Sequence, residues 1–193
     1  KKCLIVGVDL HMFEQVCRTV RRWLDEGRPA VTVSCNFSQM HFGHDGFAGQ
    51  VSEIADRFQV PHHLLEVEIT ESAIADAPES VSSALTELKM RGFQIAIDDF
   101  GSGYSSLGQL QRLRADVLKL DRSFVCAGLQ GPREQIVIEN LVNMASELGM
   151  EVVCEGVETQ VQVKVLQDIG CHIAQGYYYY RPMQTAAFEQ LLG

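Results

Sequence analysis

Apolar and polar positions along this chain switch repeatedly between two periods. Apolar residues recur at three and four over approximately 9–26, 44–58, 78–91, 105–113, 134–148, 159–169 and 184–192, as in Val51, Ile54, Ala55 and Phe58, and this spacing predicts helices. Between them lie short β-branched runs that predict strands: VTVSCNF (31–37), LLEVEIT (64–70), QIAIDDF (94–100), VLKLD (117–121), EVVCEGV (151–157) and HIAQGYY (172–178). Glycines and a proline punctuate the approaches to these runs, at Gly27-Arg28-Pro29, Arg91-Gly92 and Leu148-Gly149. No linker, low-complexity tract or short repeat interrupts the alternation, so the 193 residues read as one domain.

Regular strand–helix alternation builds a parallel sheet with helical crossovers. Six strands and seven helices, beginning on a helix, fit an α/β TIM-like (β/α)8 barrel missing roughly its first two strands and one helix. Such barrels take about 250 residues, so roughly 60 are expected in front of Lys1. An open doubly wound sheet is the alternative. It needs a Gly-rich turn after its first strand, and the sequence has none there.

Composition narrows the class without naming it. The chain is 46% hydrophobic and 21% charged, values of an ordinary globular domain. It has no run of about 18 apolar residues, so no membrane contact is expected of this domain. Its six cysteines include no CxxC pair, and Cys35 and Cys154 sit inside apolar runs, which suits free thiols in a reducing, cytoplasmic setting. The six histidines lack metal-ligand spacing, and His62-His63 read as solvated loop residues. A net charge of −9, with only short basic clusters such as Arg18, Arg21 and Arg22, argues against duplex nucleic acid as a partner.

The chemistry lies in what ends each strand. Asn36 closes the first. Glu68 and then Thr70-Glu71-Ser72 close the second, Asp98-Asp99 the third, and Lys119 with Asp121 the fourth. Glu155 lies near the end of the fifth, with Glu158 beyond it, and Gln175 sits in the sixth. In a barrel all C-terminal strand ends face one mouth, where active sites form. Inward-pointing Asn36 and Glu155 would place Cys35 and Cys154 outward, beneath the helices. Singly, each of these residues has a structural explanation, such as a strand-end salt bridge or a helix cap. Together, crowded carboxylates repel one another, and divalent Mg²⁺ or Mn²⁺ is the usual remedy. Adjacent aspartates with a glutamate and an asparagine can hold two such ions, which activate water at a phosphodiester. The residues alone reach a metal-dependent barrel hydrolase.

NFS (36–38), EVEITES (66–72), DDFGSGYSSL (98–107), LKLDRSFV (118–125), EGVET (155–159) and QGYYYYRPM (175–183) resemble the EAL-domain family in order and spacing. The resemblance implies hydrolysis of cyclic di-GMP to linear pGpG with Mg²⁺ or Mn²⁺. It implies Asn36, Glu68 and Asp98 as ligands of one metal, with Asp98 bridging to a second that Asp99 also binds. Lys119 matches the lysine that contacts the attacking water or the phosphate, and Glu155 the essential glutamate, a general base or second-metal ligand. Glu158 and Gln175 match supporting residues, with Gln175 toward substrate. Glu71 matches the anchor of the lid loop 100–106, whose Gly101 and Gly103 allow the backbone angles of a closing loop. A phosphate-cradling Gly loop is the competing view of that segment.

The Glu-Ala-Leu tripeptide that names the family is absent from the sequence, and a chain lacking its N-terminal segment is the favoured explanation. A homodimer and upstream sensory or GGDEF-like domains are further implications of the resemblance. The rival function is an inactive cyclic di-GMP sensor acting through partner domains. The set Glu68, Asp98, Asp99, Lys119 and Glu155 favours catalysis over it.

Overall fold

The computed structural model describes residues 2–43, 46–76, 78–101, 110, 113–128 and 131–192. Its strands are hydrogen-bonded in chain order, β1 (Val33–Asn36), β2 (Leu65–Thr70), β3 (Gln94–Phe100), β4 (Val117–Leu120), β5 (Glu151–Cys154) and β6 (Ile173–Ala174). Every pairing whose register is resolved is parallel. A doubly wound sheet reverses its strand order at a switch point. This order never reverses, so the strands are those of a TIM-like α/β barrel.

Two compact units divide the chain: Lys1–Ile69 with Ala73–Ile95 and Met183–Gly193, and Thr70–Ser72 with Ala96–Pro182. In the first unit, α1 (Lys2–Asp25) buries Phe13, Cys17, Val20 and Trp23, one face at helical spacing. Gly27, at φ 69°, ends it, and the Arg28 N–H closes back on the Trp23 carbonyl at 2.9 Å. The helix begins well before the predicted residue 9, because Leu4, Ile5 and Val8 continue it as exposed positions that periodicity alone did not assign. Phe37, just past β1, meets Phe13 at 5.6 Å and Phe47 of α2 (Phe47–Arg57) at 5.0 Å between ring centroids. That aromatic cluster fixes the end of β1. Near the C-terminus the Trp23 indole N–H donates to Glu189 at 2.8 Å, beside the short α8 (Thr185–Phe188).

His62 corrects the reading of a solvated pair. Its ring stacks on Phe93 at 4.3 Å, and its nitrogens lie 2.6 Å from the Arg91 carbonyl and 3.0 Å from Asp56. A histidine before a strand has no periodicity to betray such packing.

In the second unit, β4 and β5 pair from Val117↔Glu151 to Leu120↔Cys154. The crossover between them is α5 (Arg122–Gly128) and α6 (Pro132–Glu147), the latter burying Ile138, Leu141, Val142 and Ala145. A reciprocal capping box between Thr159 and Gln162 starts α7 (Gln160–Asp168). Two short helices escaped the sequence reading, α5 and α3 (Glu71–Asp76). Each is too brief to show a period, although Asp121 caps α5 by accepting the Ser123 N–H at 2.8 Å. The α4 helix (Pro78–Met90) falls where 78–91 was expected. The helix expected at 105–113 lies largely outside the described residues.

Strands at 31–37, 151–157 and 172–178 are shorter than predicted. The last ends at Ala174 because Gly176 meets the backbone of Val157 and the chain turns, with the Tyr179 and Tyr180 N–H groups on the Gly176 carbonyl. The predicted end of the chain as one helix, 184–192, reduces to α8.

Candidate active site

The second unit gathers its polar residues at the C-terminal ends of β3, β4 and β5. Ile97 pairs with Leu118 and Phe100 with Leu120, so Asp98 and Asp99 together face the single residue Lys119. This is a β-bulge, and bulges re-aim side chains at functional strand ends. Asp99 takes φ 56°, a left-handed conformation that aspartate accepts more readily than most residues. The bulge thus turns two adjacent carboxylates where a regular strand would alternate them.

Lys119 is the centre of the cluster. Its ammonium lies 3.0 Å from Asp98 Oδ1 and 2.9 Å from Glu155 Oε1, and all three side chains are mostly buried. Glu155 continues the β5 ladder through its N–H to the Leu120 carbonyl at 3.1 Å. Partial burial, then the charges of Asp98 and Asp121, push the Asp99 carboxyl above its ordinary value, while Lys119 pulls the other way. Asp121 stood at a strand end in the sequence but was given no role. Its spacing of two from Lys119 was the signal that places it in this field.

Glu71 is buried and accepts the Gly101 N–H at 2.9 Å, and Gly101 sits at φ 95°. Glu71 thus holds the first residue of the turn after β3. Gly103 and the remainder of the expected lid lie outside the described residues. Glu158 faces Arg122 at 2.8 Å, and its exposed loop is steered by the Arg122 stem, which crosses Gly156. Gln175 is exposed, and its backbone tethers β6 to β5 through Cys154 and Val157.

In the first unit, Asn36 and Glu68 are register partners on β1 and β2. The Phe37 N–H on the Glu68 carbonyl, at 3.0 Å, extends that pairing past Asn36. Glu68 is buried and Asn36 exposed. Two residues back on the same faces, Ser34 donates to Glu66 at 2.6 Å, a buried acid that the strand-end rule did not reach. Cys35 and Cys154, on the opposite faces, are buried as alternation required.

Among the described residues no three His, Cys, Asp or Glu side chains group as a metal cage. The donor chemistry nonetheless fits a hard divalent cation. Within the second unit, the adjacent Asp98 and Asp99 carboxylates supply hard oxygen donors. Asp98 Oδ1 is buried, with the Lys119 ammonium 3.0 Å away.

Fold and strand-end cluster together define a TIM-like barrel protein with an acidic, lysine-centred site at the C-terminal ends of its strands. The chain belongs to the EAL domain family, which matches residues 1–182. It is 38% identical over 194 aligned residues to the bifunctional diguanylate cyclase/cyclic di-GMP phosphodiesterase MucR of Pseudomonas aeruginosa, covering 100% of this chain and 28% of that protein. The solved MucR phosphodiesterase in complex with c-di-GMP superposes with a TM-score of 0.88 at 35% identity, over 98% of this chain and 75% of that one. Klebsiella pneumoniae BlrP1, solved with manganese and cyclic di-GMP, gives a TM-score of 0.81 at 25% identity, over 90% of this chain and 44% of that one. The chain thus spans about a quarter of the length of the first curated relatives it matches. Among the described residues no helix is long and apolar enough to cross a membrane.

Proposed function

We propose that this protein hydrolyses one phosphodiester bond of cyclic di-GMP to linear pGpG, with Mg²⁺ or Mn²⁺. The observation that carries the reading is Lys119, held between Asp98 and Glu155 at 3.0 and 2.9 Å beside the Asp98-Asp99 bulge. Asn36 and Glu68 in the first unit, and Asp98 and Asp99 in the second, are the oxygen donors assigned to the ions. A bound divalent ion supplies Lewis-acid charge at the phosphate.

The chain's own residues do the rest. Glu155 Oε1 accepts a proton from the attacking water, and the Lys119 ammonium holds that carboxylate in place while offering its charge to the phosphate. Water oxygen bonds to phosphorus, the P–O3′ bond breaks, and the departing 3′ oxygen takes up a proton. Glu71 keeps Gly101, and with it the exit of β3, in position. Glu158 and Gln175 are supporting residues, Gln175 on the substrate side. Upstream sensory or GGDEF-like domains belong to the same reading, supported by the small share of the relatives' length that the chain spans. A homodimer rests on the resemblance alone, and a cytoplasmic location on the scattered cysteines without a CxxC pair.

The test is chromatographic detection of pGpG from cyclic di-GMP with Mg²⁺ or Mn²⁺. The full-length protein is expected to form pGpG, and Asp98→Ala within it to lose at least a hundredfold in rate. Full-length protein that binds the nucleotide without cleaving it, or an Asp98→Ala variant of near-normal rate, overturns the proposal.

A further inference from the structure

The second unit contains a pair of cysteines for which the hydrolytic site has no use. Cys154 closes β5, and Cys171 precedes β6. Both are buried, and their sulfurs lie 3.3 Å apart. Reacting atoms held about 3–3.5 Å apart are in near-attack range. Closing to a disulfide of about 2.05 Å asks each sulfur to move only about 0.6 Å. We infer that Cys154 and Cys171 form a reversible disulfide when the protein meets a hydroperoxide, making this pair an oxidation site.

Access comes from one side. A cavity of about 300 Å³ is lined by Cys171 with Gly149, Glu151, Gly170, His172 and Ile173. It opens at the N-terminal end of β5, away from Lys119 and Glu155, so oxidant reaches Cys171 without passing the hydrolytic cluster. The hydrogen bond shared with Cys154 also lowers the Cys171 thiol, which favours the thiolate needed for attack.

The steps balance. The Cys171 thiolate attacks the peroxide, forming S–O and breaking O–O, and the alcohol or water leaves with a proton. Cys154 sulfur then attacks the Cys171 sulfenic acid. The S–S bond forms, S–O breaks, and the hydroxide departs as water with the Cys154 proton. Two thiols lose two protons and two electrons, and the peroxide takes up both as it is reduced to alcohol or water. In a reducing compartment thiol exchange reverses the bond, so the bridge is a transient product of oxidation.

Lys164 lies between the two cysteines, so trypsin separates them into different peptides. Folded protein is treated with hydrogen peroxide, alkylated, digested without reductant and read by mass spectrometry. The expected result is a linked Cys154–Cys171 peptide pair, two hydrogens lighter than its parts, that dithiothreitol abolishes. In protein unfolded in urea the same treatment is expected to scatter links among the cysteines. Cys154→Ala, a mild change at this site, is expected to abolish the link and leave Cys171 in higher oxidation states. Recovery of both alkylated thiols from folded, oxidised wild type overturns the inference. So does oxidation of Cys171 without a link, or a link no more frequent in folded than in unfolded protein.

Discussion

Replacing Lys119 by methionine keeps the length of the side chain and removes the charge at the centre of the cluster. The ammonium contacts Asp98 at 3.0 Å and Glu155 at 2.9 Å, with the three side chains 10, 13 and 19% exposed. At an effective dielectric of about 20, each contact is worth about 5.5 kcal/mol of coulombic attraction before desolvation. Burying the three charges costs several kcal/mol apiece, so the intact triad contributes little net stability. Breaking it is another matter, because two carboxylates stay buried near each other without their cation. Removing one partner of a buried pair costs about 3–5 kcal/mol. For a chain of this size each kcal/mol moves the melt by about 2–4 °C, so the loss is about 10 °C. Circular dichroism melts of wild type and Lys119→Met, both in EDTA, measure it. The deficit should persist at high salt, since buried pairs are poorly screened. A double variant, Lys119→Met with Asp98→Asn, should recover part of it. A shift under about 2 °C, or no recovery in the double variant, refutes the bridging role of Lys119.

Three further outcomes follow from single contacts. The Asp99 carboxyl is raised, so the folded state binds its proton more tightly than the unfolded chain does; this costs stability as pH rises from the ordinary carboxylate value through the raised one. In EDTA, Asp99→Asn should therefore be more stable than wild type near neutrality, by no more than about 1 kcal/mol at this exposed position, with the gap closing in acid; an advantage that grows in acid contradicts the assignment. Glu71→Gln retains an acceptor for the Gly101 N–H and should shift the melt by only a degree or two, whereas Glu71→Ala should cost about 1–3 kcal/mol, as a urea titration can show. Gly176→Ala places a Cβ 2.1 Å from the Val157 carbonyl oxygen, which is backbone and yields little, so a loss of about 1–3 kcal/mol is expected by the same titration.

Periodicity carried most of the fold. The β3 strand falls where QIAIDDF predicted it, and α1, α4, α6 and α7 overlap their apolar patterns, because burial of one face writes itself into every third and fourth residue. The strand-end rule brought Asp98, Asp99, Lys119 and Glu155 into view because a barrel collects C-terminal ends. What periodicity misses is structure made by few residues: α3, α5 and the early halt of β6. It also misses charge fields whose members look like caps, as with Asp121, which both caps α5 and raises Asp99.

The bulge marks the deeper limit. Period-two alternation puts Asp98 and Asp99 on opposite faces of β3, one toward the barrel and one away. A sequence read that way can place only one of the pair in the site. The structure opposes both to Lys119 by spending an extra residue and setting Asp99 at φ 56°. Neighbouring strand ends use the same device. Gly101 turns at φ 95° onto Glu71, and Gly156 turns at φ 71° under the Arg122 stem directly after Glu155. Three left-handed residues thus bracket Asp98, Lys119 and Glu155, and each departs from strand geometry where a charged side chain has to be aimed. Beside these turns the lysine lies within 3.0 Å of two acids from different strands. The aim of the site is therefore a property of its backbone, and substitutions at Gly101 or Gly156 should disturb Glu155 and Asp98 without removing any charged group.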